Sequence, residues 1–155
     1  FSLSTSSKKT YRAFREEVDR EKEVELEDSR VVQEGEDVTL VAWGAMLPVA
    51  EDAADEIDAD VEIIDPRTIY PTDFETITES VRKTGRAMVL HEAPKSAGFG
   101  AEISSRIQEN AILHMEAPVK RVTAPDVPYP LYTLEDFYMP NKERAVKGLK
   151  EVLEF

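Results

Sequence analysis

The 155-residue sequence contains no cysteine, so disulfide bonds, thiolate metal sites and cysteine nucleophiles are excluded. No apolar run approaches the ~20 residues that span a bilayer. Phe1 to Lys9 also lacks the apolar stretch and cleavage site of a signal peptide. These absences make a cytoplasmic protein the expectation.

Basic residues are scarce relative to acidic ones, with 19 against 32 and a net charge of −13. A field of that sign repels phosphate backbones and anionic lipid, so neither nucleic acid nor a membrane surface is an expected partner. The acidic excess either solvates the surface, as in salt-adapted proteins, or attracts a basic protein partner. The first explanation is the simpler one.

The hydrophobic fraction of 41% is enough for one core at this length, so a single domain is expected. Residues 1–34 are first Ser-rich and then charge-dense, which predicts a disordered start and a linker. Residues 35–155 show regular patterns, which predict the folded domain.

Short β-branched runs alternate with segments of helical spacing throughout the predicted domain. The runs predict strands over 38–43, 61–65, 87–91 and 119–123, and the spacing predicts helices over 46–57, 72–83, 98–113 and 141–155. Thr72 and Glu75 have the spacing of a capping box at a helix start, and Gly85 predicts the end of that helix. Residues 125–140, with four prolines, predict a long irregular connection. The alternation predicts an α/β fold with three α/β/α layers around a mostly parallel, twisted sheet.

Ligands of such sheets bind beyond the carboxyl ends of the strands, where His91 and Glu92 lie. An imidazole beside a carboxylate could form an acid–base pair, but adjacent strand residues point to opposite faces. A strand-end histidine bonded to backbone explains His91 as well. Asp65 and Arg67 could hold an anionic ligand or, as we favour, fix their own loop.

Gly98-Phe99-Gly100 precedes a predicted helix and superficially resembles a phosphate cradle. Ser104 and Ser105 follow where the dinucleotide fingerprint needs a glycine, so close packing of the helix start is the favoured explanation. The two histidines are far apart and the acidic residues show no ligand spacing, so no metal site is expected.

The proline-rich connection also holds four aromatic residues, which are either interface material or rings folded back over the core. They are Tyr129, Tyr132, Phe137 and Tyr138. Composition and spacing alone thus predict an α/β domain with an interface and without a complete catalytic group.

Four ordered segments resemble the C-terminal, transketolase-type domain of the β subunit of pyruvate or branched-chain 2-oxoacid dehydrogenases. They are Gly35 to Gly44, Ile64 to Pro71, His91 to Ile103, and Glu116 to Pro130. The similarity continues to the final helix and covers about 120 residues. Lys8 to Arg15 resembles the linker that precedes this domain in the family.

The resemblance implies that thiamine diphosphate and magnesium belong to the complete complex, and that this chain alone binds no cofactor and supplies no catalytic residue. The implied partners are the dehydrogenase α subunit, a second β subunit, and the basic subunit-binding domain of the dihydrolipoyl acyltransferase. By motif position, Arg67, His91 and Glu92 are the candidates to face an active site.

For partner binding, the candidates are Glu116, Tyr129, Tyr132 and Phe155 with its terminal carboxylate. Two alternatives stay open. One is a free-standing interaction module derived from such a subunit, and the other is the corresponding domain of a transketolase or deoxyxylulose-phosphate synthase. Substrate choice cannot be read from these residues.

Overall fold

A computed structural model describes residues 27–130 and 132–155, without the side chain of Tyr132. The predicted disordered start, the segment resembling a family linker and most of the charge-dense stretch lie outside the described residues.

The described residues form one five-stranded sheet whose spatial order is β1-β3-β2-β4-β5. Its strands are β1 (Arg30–Gln33), β2 (Val38–Ala42), β3 (Val61–Asp65), β4 (Ala87–Pro94) and β5 (Lys120–Ala124). β1 runs antiparallel to β3, and the other neighbouring pairs are parallel. The predicted mostly parallel sheet is therefore confirmed.

Helices cover both faces of the sheet. They are α1 (Leu47–Ala54), α2 (Phe74–Thr84), α3 (Phe99–Ala111), α4 (Glu135–Tyr138) and α5 (Lys142–Leu153). Short 3-10 turns occupy 44–46, 112–114 and 132–134. α1 and α5 pack together on one face and α2 and α3 on the other, which confirms the three layers.

The central strand β2 shows why this sequence forms a covered sheet. All of its residues are buried. Leu40 and Ala42 contact the core under α1 and α5, whereas Val41 contacts the core under α2 and α3. A strand buried on both faces needs a continuous apolar run, which is the pattern of Val38–Ala42.

β1 lies at the sheet edge, inside the segment 1–34 for which the sequence predicts no regular structure. Val31 is exposed and Val32 is only half-buried, so the strand carries little of the apolar signal that marks the others. It pairs with β3 through Arg30–Asp65 and Val31–Ile64. The folded sheet therefore includes residues that the sequence pattern assigns to the linker.

The start of α2 differs from the predicted capping box. Asp73, not Thr72, caps the helix, and its carboxylate accepts the Thr76 N–H at 3.0 Å. Thr72 instead donates its hydroxyl to the carbonyl of Thr68 at 3.1 Å, inside the preceding loop. The predicted end at Gly85 is confirmed, since this glycine adopts a left-handed backbone with φ 68°.

Candidate functional site at the carboxyl end of the sheet

The strand order creates one place where a ligand of such a fold is expected. β2 and β4 are neighbours in the sheet. The connection that follows β2 leads to β3 on one side, and the connection that follows β4 leads to β5 on the other, so the two connections diverge. A crevice normally forms between strands that diverge in this way, at their carboxyl ends. Trp43, directly after β2, and His91, within β4, lie at this point.

Three ring side chains pack together near this point. The Trp43 and His91 rings are stacked with centroids 5.2 Å apart and an angle of 8° between their planes. Phe99 packs its ring edgewise on Trp43 at 5.7 Å. His91 is only 1% exposed, whereas Trp43 and Phe99 are half-buried, so the imidazole itself is not open to a ligand.

Two glycines make room for the His91 ring. A Cβ atom on Gly98 would lie 2.7 Å from His91 Cε1, and one on Gly100 would lie 2.4 Å from His91 Nε2. Both distances are too short for any side chain, so the start of α3 can approach β4 only at glycine. The packing explanation of Gly98-Phe99-Gly100 is therefore confirmed over the phosphate cradle.

The buried imidazole is neutral near pH 7. Neither His91 nitrogen has a hydrogen-bond partner within the described residues, so the ring forms no acid–base pair with Glu92 and no bond to backbone. Burial lowers the pKa of His91 to about 4, and the positive charge of Arg121 acts in the same direction. Glu92 is half-buried and follows His91 on β4.

This histidine makes the fold sensitive to acid. An unfolded histidine takes up its proton near pH 6.5, whereas folded His91 does so near pH 4. The free energy of unfolding therefore keeps its full value above pH 6.5 and decreases as the pH drops from 6.5 toward 4. The decrease is about 2–3 kcal/mol at pH 4.5. We expect His91→Leu to remove this loss when urea unfolding is measured at pH 7 and pH 4.5.

The matched control is His114→Leu, because His114 is exposed. That variant keeps His91 and should retain the acid-dependent loss of stability. Equal pH dependence in wild type and His91→Leu would show that the buried imidazole does not cause it.

Arg67 is held in its own loop. Asp65 Oδ1 accepts the Arg67 backbone N–H at 2.9 Å, and the Arg67 guanidinium pairs with Asp28 at 3.2 Å. Asp65 thus fixes the loop as favoured from the sequence, but through the backbone of Arg67 rather than through its side chain. The guanidinium connects this strand end to the residues before β1.

The ends of β4 and β5 are tied together by Asp126, which belongs to a strand end that the sequence marks as either a site or merely a turn. Asp126 accepts the Ser96 backbone N–H and its hydroxyl, both at 2.8 Å. These bonds hold the pKa of Asp126 below its usual range. A strand-end aspartate in Ala124-Pro125-Asp126 was the available signal, but nothing in the sequence indicates that Ser96 is its partner.

The partner candidates lie at different ends of the sheet. Glu116 pairs with Arg86 at 2.7 Å, next to the amino end of β4, whereas Tyr129 follows β5 at the carboxyl end. Phe155 is 78% exposed at the end of α5. Tyr132 begins a 3-10 turn, and its side chain lies outside what the structure describes.

Some aromatic residues of the 125–140 connection fold back over the core, and others remain exposed. Tyr138 is buried, and Tyr129 packs edgewise on it with centroids 5.0 Å apart. The Tyr129 hydroxyl donates to Glu135, and this bond raises the pKa of Tyr129 to about 12. Four large hydrophobic or aromatic side chains of this connection nevertheless remain exposed, namely Val127, Tyr129, Leu134 and Phe137.

The described residues include neither a cluster of metal ligands nor a membrane-spanning helix. No group of three or more histidine, aspartate or glutamate side chains in residues 27–130 and 132–155 could hold a metal ion. Among these same residues no helix is both long and apolar enough to cross a membrane.

Fold and site together define a three-layer α/β domain with a buried histidine packed among aromatic rings near the switch point. Residues 27–145 match the family model described as "Transketolase, C-terminal domain". The chain belongs to this family, as its sequence motifs predict. Its five-stranded sheet and helix layers are those of the family's fold.

Comparison with individual proteins narrows the relationship further than the family model does. The chain is 44% identical over 151 residues to the pyruvate dehydrogenase E1 component subunit beta of Staphylococcus epidermidis and of Staphylococcus aureus. The match covers 95% of this chain and 46% of each relative, so the chain spans about half the length of these proteins.

Two solved structures are also similar. A split gene transketolase, described as an inactive beta4 tetramer, matches with a TM-score of 0.76 and 26% identity over 90% of this chain and 46% of that one. A 2-oxoglutarate:ferredoxin oxidoreductase from Magnetococcus marinus matches with a TM-score of 0.54 and 14% identity over 81% of this chain and 19% of that one. The second match supports the fold alone.

Proposed function

We propose that this chain is the C-terminal domain of the β subunit of a thiamine-dependent 2-oxoacid dehydrogenase, with pyruvate as the substrate of the complex. The observation that carries the proposal is the 44% identity, over 95% of the chain, to bacterial pyruvate dehydrogenase β subunits. In this proposal the domain holds subunits together, and the decarboxylation occurs elsewhere in a cytoplasmic complex.

The surroundings of His91 support this division of roles. Its imidazole is 1% exposed, and neither nitrogen has a hydrogen-bond partner among the described residues, so it offers no acid or base to a substrate. We assign thiamine diphosphate and its magnesium ion to other parts of the complex. Arg67 is held by Asp28 and would act on loop shape rather than on substrate.

Two surfaces support the assembly role. The exposed side chains of Val127, Tyr129, Leu134 and Phe137 are suited to a contact with a second β subunit or the α subunit, because exposed aromatic side chains are typical of interface cores. At other positions Glu116 and the exposed Phe155 would receive the basic binding domain of the acyltransferase. The net charge of −13 would speed that encounter.

The test of the proposed reaction is an assay of the native protein purified with its associated subunits. Thiamine-diphosphate-dependent oxidation of pyruvate should exceed that of branched-chain 2-oxoacids. Ketol transfer, the transketolase reaction, would instead support the alternative suggested by the split gene transketolase match. Absence of both activities would leave the free-standing interaction module as the better explanation.

Docking has its own prediction. In the assembled β subunit, Glu116→Gln should weaken binding of the acyltransferase's basic domain about tenfold, because a charge-assisted bond is lost. Binding is measured by calorimetry at fixed salt. A pair of variants is needed because Glu116 also bonds Arg86 at 2.7 Å.

Arg86→Gln is the control for the docking prediction. It breaks the same ion pair but leaves the Glu116 carboxylate in place, so binding should be unchanged or tighter. If both variants weaken binding equally, Glu116 acts through local structure and its docking role is rejected. If neither does, the assignment of Glu116 is wrong.

A further inference from the structure

A groove of about 400 Å³ runs along the outer edge of β5, between this strand and α5. Gly148 brings α5 close to the sheet, because a Cβ there would lie 2.5 Å from Val122 Cγ2 and 2.8 Å from Met88 Sδ. The groove is thus formed by the packing of a helix on an edge strand, and it lies outside the crevice at the switch point.

The groove concentrates positive charge on an acidic protein. The residues that line it include five basic ones and only two acidic ones, in a chain with 19 basic and 32 acidic residues. The cations are Lys95, Lys120, Arg121, Arg144 and Lys147, and the carboxylates are Asp126 and Glu151. A concave surface lined by one sign of charge focuses its field and raises the local concentration of counter-ions.

Both carboxylates already have partners. Asp126 accepts two hydrogen bonds from Ser96, and Glu151 pairs with Lys120 and, at 3.9 Å, with Lys147. Lys95 and Arg121, by contrast, have no carboxylate oxygen within 4 Å among residues 27–130 and 132–155. Their charges are therefore not neutralised by ion pairs within the described part of the chain.

Protection of the sheet edge does not account for these charges. Lysine on an edge strand commonly prevents another strand from pairing there. Here Arg144 already occupies one backbone acceptor of β5, because its guanidinium donates to the Thr123 carbonyl and to the carbonyls of Tyr138 and Met139. A strand that needed the Thr123 carbonyl would have to displace Arg144, which favours a small ligand over an extended peptide.

We propose that this groove is a binding site for a small anion that carries a phosphate group. Arg121 is fixed at one end by the hydrogen bond from its Nη1 to the Lys95 carbonyl, at 2.8 Å. A guanidinium and several ammonium groups are the donors that phosphate oxygens prefer. The volume is at the small end of the range found for ligand sites. The proposal does not depend on the assembly role above.

The experiment is calorimetric titration of the native protein, at ionic strength held constant with sodium chloride. The probes are inorganic phosphate and a simple monoester, ribose 5-phosphate. We expect saturable binding with a dissociation constant of about 1 mM or tighter. Tighter binding of the monoester would identify an organic phosphate as the ligand, and tighter binding of inorganic phosphate would identify the free ion.

Two variants test the assignment independently. Lys95→Gln and Arg121→Gln should each weaken phosphate binding about tenfold. The matched control is Arg82→Gln, because the Arg82 guanidinium likewise bonds one backbone carbonyl, that of Asn110 at 2.9 Å, but lies on α2 beneath the opposite face of the sheet. Its binding should stay within twofold of wild type.

Three results would overturn the proposal. The first is the absence of saturable binding of either probe. The second is equal weakening in the Arg82→Gln control, which would show that only the overall charge matters. The third is binding of a poly-glutamate peptide more tightly than phosphate in a manner sensitive to Arg121→Gln, which would make the groove a protein-docking surface.

Discussion

Gly35→Ala should destabilise the fold by about 3 kcal/mol, the upper part of the range for overpacking a tight site. Gly35 lies in the connection between β1 and β2, where it passes directly over the start of β3. A Cβ there would lie 2.3 Å from the Val61 carbonyl carbon and 2.4 Å from the Glu62 nitrogen. Both are backbone atoms of a strand paired on both sides, so they cannot move aside.

Gly44→Ala is the matched control for this prediction. Gly44 has a left-handed backbone with φ 60°, and no atom lies within 4 Å of the added Cβ. The change should therefore cost only the backbone strain, about 1 kcal/mol. Both values come from urea unfolding of the purified protein. Equal costs for the two variants would show that the close approach over β3 does not exist.

Lys83→Met should cost about 3 kcal/mol, because it leaves a buried carboxylate without its partner. Glu62 lies on β3 and its side chain is only 4% exposed. Burial alone would raise the pKa of Glu62, but hydrogen bonds from Lys83, Ser80 and Gly35 outweigh it and lower the pKa below 4.5. Lys83 also lies 3.7 Å from Glu34 and from Glu36, and its own pKa is raised.

The pH dependence gives this prediction a second signature. Because the folded pKa of Glu62 is lowered, its contribution to stability is present above pH 4.5 and is lost as the pH falls through the folded pKa. In Lys83→Met the Glu62 carboxyl has lost its positive partner, so burial favours the protonated form. The cost of the substitution should therefore shrink as the pH falls toward 4.5.

Lys142→Met serves as the control for the buried pair. Lys142 forms an ion pair with Glu56 in which both side chains are about half exposed. Exposed pairs contribute ~1 kcal/mol or less, so this variant should be near neutral. A double variant, Lys83→Met with Glu62→Gln, should recover part of the loss. A cost at Lys83 no larger than at Lys142 would contradict the account of a buried charge.

The central part of the fold follows directly from the sequence. Short runs rich in β-branched residues mark β2 to β5, and the predicted strands lie within a few residues of the observed bounds. Gly85 and Asn141 were predicted as the end of α2 and the start of α5, and both caps are observed. These signals are local, and a local pattern is what sequence reasoning can detect.

The structure differs from the sequence prediction where the local conformation depends on residues that are distant in the chain. β1 forms because β3 offers an open edge, not because Arg30–Gln33 has a strong strand pattern. Asp73 rather than Thr72 caps α2, and the same carboxylate also accepts the backbone N–H of Ser29 at 3.1 Å. A contact between positions 29 and 73 cannot be seen in the spacing of either segment.

The sequence directs attention to His91, but the chemistry open to this residue depends on its packing. The sequence places His91 at a strand end beside Glu92, which is compatible with catalysis. Only the structure shows Trp43 stacked on the ring and two glycines pressed against it. The imidazole is therefore part of a closed core, and its neutrality is a consequence of burial.

The central claim is that this domain assembles a complex and does not carry out its chemistry. The most direct measurement is the decarboxylation rate, followed with an artificial electron acceptor, of complexes whose β subunit carries Arg67→Gln or Glu92→Gln. Size-exclusion chromatography with light scattering verifies that each complex is assembled. The account predicts rate constants within twofold of wild type per assembled complex. A loss of about 100-fold in a fully assembled complex, the size expected for a missing acid or base, would contradict it.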